Sequence, residues 1–380
     1  MDGIDNAELV RRLLKIPVFR EIHNVLRNST KPVDWRLAEQ ISEAVSGAGL
    51  HSPRPAGPEL EEFQQACRIA ELAVVGNSGL GPVRGVTHVR LLWRSQWAQL
   101  NLDALKPMTE RLASRLSQGS VSPGQGAPVR SALDAVVPLV MGAQFGLIFG
   151  YLSHKALGLW DFCLPRGQAG RLYFNYPNIV EVEEELQVDP RQFRMWLAIH
   201  EVSHELHFQA IGWTRPYLTG LVEQYIDAAE LDSSELATKL QTLTDPQELA
   251  FIMQRPEDLL PMLRTPVQSL IAEKIECFLG LVEGYSDWIT RRAGLSLVDQ
   301  FGKIREGMSR RMAERSSPER MLEKLFGIEL SLQTRRASER FIAAIAEAGR
   351  IDVLWAKVEN LPSIEELSQP ERWISRVGVS

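Results

Sequence analysis

His200-Glu201-Val202-Ser203-His204 sets two imidazoles four residues apart with a carboxylate beside the first. On a helix this spacing puts both histidines one turn apart on one face, so both rings reach a single ion, and Glu201 projects beside them. Two neutral imidazoles and one further carboxylate suit Zn2+ and leave a fourth tetrahedral position for water. The ion lowers the pKa of that water towards about 7. Glu201, as general base, takes the proton during attack on a carbonyl and later returns it to the leaving amine. This His-Glu-x-x-His arrangement is that of a metallopeptidase helix. The competing reading is an amphipathic helix whose histidines are hydrogen-bonded core residues. His207 lacks the glycine turn that lets a more distant histidine swing back, so it is read as lying behind the ligands or in the core.

Two downstream segments offer the third ligand: Leu221-Val222-Glu223-Gln224-Tyr225-Ile226-Asp227 and Leu281-Val282-Glu283-Gly284-Tyr285-Ser286-Asp287. Each has a Glu, with an Asp one turn later that could hold a ligand imidazole from behind. The Glu-x-x-x-Asp arrangement resembles the second zinc helix of thermolysin-like enzymes. Glu223 is nearer in sequence but sits on a helix with an ordinary polar side. Glu276, Glu283 and Asp287 share one face of a strongly apolar helix, and acids there need a partner. A cation is a natural one, and buried Arg or Lys residues are the alternative. Glu283 is therefore the favoured ligand, Asp287 its supporting carboxylate and Glu223 the alternative. Gly280 and Gly284 would allow a close helix approach. Tyr176, Tyr285 and His154 are the candidates for stabilising an oxyanion, although packing explains each of them better.

The helix that presents these groups has a clear start. Asp189 can cap, Pro190 suits the first helical position, and Gln192 can reach back as in a capping box. It should end near Gly212. Helical spacing also marks Ala7 to Leu14, Asp34 to Val45, a segment from about Glu59, and Asn101 to Leu116. Gly76 to Gly81 reads as a linker, and Gly119 to Pro128 as a loop. Thr87 to Trp93 and Arg171 to Tyr176 read as short strands. From Asp189 onward nearly everything has helical period. The fold class is mainly α with a minor β-sheet. Residues 1–84 form an N-terminal helical region and 85–380 the catalytic domain, with one continuous unit as the alternative.

The chain has 380 residues and a net charge of −6, so no basic surface points to nucleic acid. Arg310, Arg311, Arg315 and Arg320 alternate with acids and read as a solvated face. Cys67, Cys163 and Cys277 are too few and too scattered for a disulfide framework or a cysteine zinc site. The acidic N-terminus lacks a secretion signal, so a cytoplasmic location is expected. From Ala135 to Ser153 no charged residue occurs, and Gly142, Gly146 and Gly150 recur every four residues. That length approaches a bilayer span, but Pro138, Gln144 and the lack of an aromatic belt favour a buried helix.

From about residue 85 to the end, the chain resembles a zincin-like metallopeptidase and hydrolase family of actinobacteria and chloroflexi. Its members are often labelled as associated with deazaflavin-coenzyme biosynthesis. The resemblance is carried by Arg94-x-x-Trp97-x-x-x-Asn101, the glycine-spaced helix into Leu157-Gly158-Leu159-Trp160-Asp161, and Tyr176-Pro177-Asn178-Ile179. It continues through the histidine helix and Glu283-Gly284-Tyr285-x-Asp287. The last stretches are Gln333 to Phe341, Trp355, Glu359-Asn360-Leu361-Pro362 and Pro370-x-x-Trp373-Ile374-x-Arg376-Val377. The resemblance implies zincin-like active-site helices within a large helical domain, supports Glu283 over Glu223, and implies no membrane insertion. Departures occur at Leu332-Gln333-Thr334 and Leu159-Trp160, where the family tends to carry other polar or basic side chains. The expected activity is zinc-dependent hydrolysis of a peptide-like substrate, for which Leu172 to Tyr176 is a candidate edge strand. A non-catalytic zinc protein and a hydrolase of a small non-peptide metabolite are the alternatives.

Overall fold

Asp34 opens the first described helix by accepting the Leu37 N–H, and Trp35 and Ala38 turn inward. A computed structural model describes residues 33–47, 57–79, 83–118, 127–158, 170–228, 265–313 and 331–378. The elements are α1 (Trp35–Val45), α2 (Gly57–Ser78), β1 (His88–Leu92), α3 (Arg94–Gln118), α4 (Ala127–Leu152), β2 (Arg171–Asn175) and α5 (Tyr176–Leu186). There follow α6 (Pro190–Ala210), α7 (Thr214–Asp227), α8 (Pro266–Gly294), α9 (Phe301–Ala313), α10 (Leu332–Glu347), α11 (Ile351–Ala356), α12 (Ile364–Ser368) and α13 (Pro370–Val377). The chain is mainly helical with a two-stranded parallel sheet, in which His88 lies opposite Arg171 and Leu92 opposite Asn175.

The uncharged glycine-spaced segment is α4, and its glycines face α1. A Cβ on Gly142, Gly146 or Gly150 would strike Asp34, Ala38 and Ile41, or Ser42 and Val45. The stripe is thus a groove for a neighbouring helix. No described helix is long and apolar enough to cross a membrane.

Helix α6 runs through the core, buried along nearly its whole length and packed on α2, β2 and α8. Asp189 caps it by accepting the Arg191 and Gln192 N–H groups. Gln192 does not reach back to complete a capping box. It accepts the Asp299 N–H instead, while Gln300 accepts the Asp189 N–H, so the start of α6 is tied to the segment before α9. Farther along, Arg194 joins buried Glu183 of α5 to Glu62 of α2 at 2.7 Å each. At the other end Glu205 accepts the Gly170 N–H at 2.6 Å and Gln209 bonds the Gly85 carbonyl, fixing the chain that enters both strands.

Several local readings shift. The helix expected from Asn101 begins at Arg94, because Gln96 accepts the Trp93 N–H and starts the turn earlier. Gly76, Asn77 and Ser78 form the last turn of α2 rather than a linker. Tyr176 starts α5, since Pro177 fits a first helical turn, and β2 stops at Asn175. Ala7 to Leu14, Leu159 to Asp161, Cys163, Arg315, Arg320 and most of the Gly119 to Pro128 loop lie outside the described residues.

Candidate metal centre

His200 and His204 rise from the middle of α6, one turn apart, with ring centroids separated by 4.8 Å. Trp196, a turn earlier, stacks on His200 at 5.6 Å with nearly parallel rings. Helix α8 crosses opposite and brings Glu283, buried, to 3.5 Å from His204 Nε2. One ligand atom from each of His200, His204 and Glu283 lies within 4.8 Å of the others. A tetrahedral ion with bonds of about 2.1 Å has ligand atoms about 3.4 Å apart, so the 3.5 Å pair already has that spacing. Burial drives both imidazoles down to about 3, helped for His200 by His204 and for both by the Arg335 charge. Both are neutral near pH 7, the state in which imidazole donates a lone pair to a metal. The donor set therefore fits a divalent ion such as zinc.

Glu201 is fully buried on the adjoining side of α6, and its carboxylate rests against Gly158. A Cβ on Gly158 would occupy the space of that carboxylate. Arg94, Trp97 and Asn178, which carried the family resemblance, hold this glycine in place together with Asn175. Trp97 Nε1 donates to the Gly158 carbonyl at 2.9 Å, and the Asn175 N–H donates to the Leu157 carbonyl at 2.8 Å. Asn178 binds the carbonyls of Ser153 and Ala156, and Arg94 donates to Asn178 Oδ1. On the α2 side, Glu201 bears on Cys67, whose thiol is pushed up by burial and then by that negative charge.

The acidic face of α8 meets α10 at three levels. Glu276 accepts the Ser331 N–H and the Thr334 hydroxyl, fixing the start of α10. Glu283 Oε2 lies 3.2 Å from Arg335 Nη2. Asp287 bonds Glu339; its carboxyl is pushed up to about 7 by desolvation, which outweighs the lowering by Arg335, with Glu283 and Glu339 adding to the rise. Gly284 makes the contact possible, because a Cβ there would strike the backbone of Ser338 and Glu339. The close approach expected of this glycine is thus to α10, not to the histidine helix. Of the partners anticipated for the acids, the buried arginine occurs on Glu283: one oxygen faces Arg335 and the other the His204 imidazole.

Asp287 Oδ1 is 4.0 Å from His200 Nδ1, beyond a hydrogen bond. Ser286 Oγ is nearer, at 3.4 Å, and also bonds Ser203 of α6. Glu223 lies away from this group on the surface, 3.3 Å from Arg111, with Asp227 beside it on the same arginine. His207 is buried among Phe208, Tyr285 and Trp355, and neither ring nitrogen has a hydrogen-bond partner among the described residues. Tyr285 donates to the Ser78 carbonyl, His154 Nε2 bonds the Val45 carbonyl, and Tyr176 packs on Arg194. All three have packing contacts of their own. Sequence reasoning missed Arg335, Ser286 and the notch at Gly158. The need of Glu283 for a cation was the one signal pointing to the first.

The model of the zincin-like metallopeptidase family matches residues 33–374, starting at α1 rather than near residue 85. A crystal structure described as "a putative hydrolase with a novel fold from Chloroflexus aurantiacus" shares the fold with a TM-score of 0.70. The two are 23% identical over 92% of this chain and 99% of the other. No curated protein matches the sequence. The deazaflavin label finds no support in either match. With a match over most of its length, and a His-His-Glu group at the crossing of two buried helices, the chain belongs to the zincin-like metallopeptidase family.

Proposed function

We propose that the chain is a zinc-dependent hydrolase of the peptidase type, in which His200, His204 and Glu283 hold the ion and Glu201 is the general base. The observation that carries this reading is the convergence of two neutral imidazoles and one carboxylate, while the residue after His200 in the chain seats its carboxylate in a glycine notch. A zinc ion held there supplies Lewis acidity and makes water nucleophilic near neutral pH. Trp196 and Ser286 orient the His200 ring, and Gly158 leaves room for the Glu201 carboxylate. Glu201 accepts the proton of the attacking water and passes it to the leaving nitrogen. Burial of Glu201 keeps bulk water from competing for that proton.

Purified protein should hold close to one zinc per chain and lose it in His200→Ala and His204→Ala. Glu201→Gln should keep the metal and lose turnover on a responsive peptide from a library by about two to four orders of magnitude. Wild-type protein that takes up no zinc after reloading, or a metal-loaded Glu201→Gln protein with unchanged turnover, would refute the reading.

A further inference from the structure

A carboxylate can bind a cation through one oxygen or both, and the choice decides whether a position remains for water. In this chain the two oxygens of Glu283 are separated by their partners. Oε1 faces His204 Nε2 at 3.5 Å, and Oε2 lies 3.2 Å from Arg335 Nη2. Arg335 cannot drift along α8, because contacts on either side set the height of α10. Towards the start of α8, Glu276 accepts from Ser331 and Thr334 at the first turn of α10. Beyond Glu283, Gly284 admits the α10 backbone at Ser338. The Arg335 side chain is mostly buried, which strengthens the contact relative to a solvated pair. A guanidinium beside a cation site also opposes cation binding, so its presence there calls for a compensating use.

We propose that Arg335 is a positioning residue that holds Oε2 of Glu283, so that the carboxylate offers a single oxygen to the ion and leaves room for water. The inference rests on the metal reading above. Without Arg335 the carboxylate turns both oxygens to the ion, and the opposing charge is gone. Arg335→Gln should therefore bind zinc about tenfold more tightly in competition with a chelator. Its Co2+-loaded form should show weaker visible absorption than wild type, as coordination rises from four to five, and its turnover should fall. Arg335→Lys keeps the charge but not the flat fork, and should shift the Co2+ spectrum in the same direction by less. This second variant carries the test if Arg335→Gln does not fold. A merely structural arginine would instead lower metal content together with stability. Unchanged Co2+ spectra in the folded variants, or a zinc affinity in Arg335→Gln that is equal or weaker, would overturn this inference alone. Failure of the wild-type chain to take up zinc or Co2+ would overturn the metal reading beneath it.

Discussion

At Gly158 a missing side chain makes room for the Glu201 carboxylate. Its φ lies in the range other residues adopt, so the need for glycine is one of space, not of backbone freedom. Gly158→Ala should leave the fold intact and displace the carboxylate. A displacement on the 1 Å scale costs about 10²-fold in turnover when it misplaces a reacting group. Zinc content and peptide turnover measured together would check this, the expected outcome being full metal with reduced rate. The sequence pointed to Glu201, since its spacing from two histidines is local. Gly158 stands 43 positions away by number, and its relation to Glu201 arises only when α3 and α5 hold the loop between α4 and β2.

Among elements, the crossing of α8 and α10 positions Glu283. The acids at Glu276, Glu283 and Asp287 recur at helical spacing, so one stripe of α8 faces one stripe of α10. Gly284 sits where that crossing is tightest. Gly284→Ala should push the helices apart, because the obstructing atoms are backbone and cannot rotate away. A destabilisation of about 1–3 kcal/mol is expected for such overpacking, read from denaturant unfolding. Weakened zinc binding should accompany it, as Glu283 moves with its helix. Stability equal to wild type would show that α10 yields without strain.

Across the whole molecule, burial sets the response to acid. His200, His204 and His207 all have their pKa depressed from 6.5 to about 3 by burial. A depressed imidazole contributes stability that is present above pH 6.5 and lost as the pH falls towards 3, because the unfolded chain takes up the proton first. Asp287 acts in the opposite sense. Its carboxyl is raised from 3.8 to about 7, so its contribution is present at low pH and lost as the pH rises through 7. Burial raises Glu183 and Glu205 as well, in the same sense as Asp287, but the three large histidine shifts outweigh them and give a metal-free protein that weakens below about pH 6.5. His207 is the one to remove, since among the described residues its side chain makes ring contacts with Phe208, Tyr285 and Trp355 and no hydrogen bond. His207→Phe should gain about 1–2 kcal/mol at neutral pH by relieving buried unpaired nitrogens. It should also flatten the acid limb of unfolding free energy against pH. A limb as steep as wild type would mean that His207 does not take up its proton on unfolding.

The sequence by itself determined whatever depends on neighbours along the chain. The His-Glu-x-x-His face, the Asp189 cap, the apolar helix bearing Glu283 and the predominance of helix over two short strands all follow from local spacing and propensity. It also distinguished the two look-alike acidic segments, because an acid costs little on the polar side of α7 and much on the apolar α8. Only the tertiary structure decided what each acid meets. A carboxylate that needs a partner does not specify which of many distant cations supplies it. The packing of α8 on α10 selected Arg335 for Glu283, and that of α8 on α6 put Ser286, not Asp287, nearest His200. The glycine stripe of α4 had the same limit. Its spacing announced a close helix contact, and the folded chain supplied α1, because Asp34 to Val45 offers a short amphipathic helix that fits the groove.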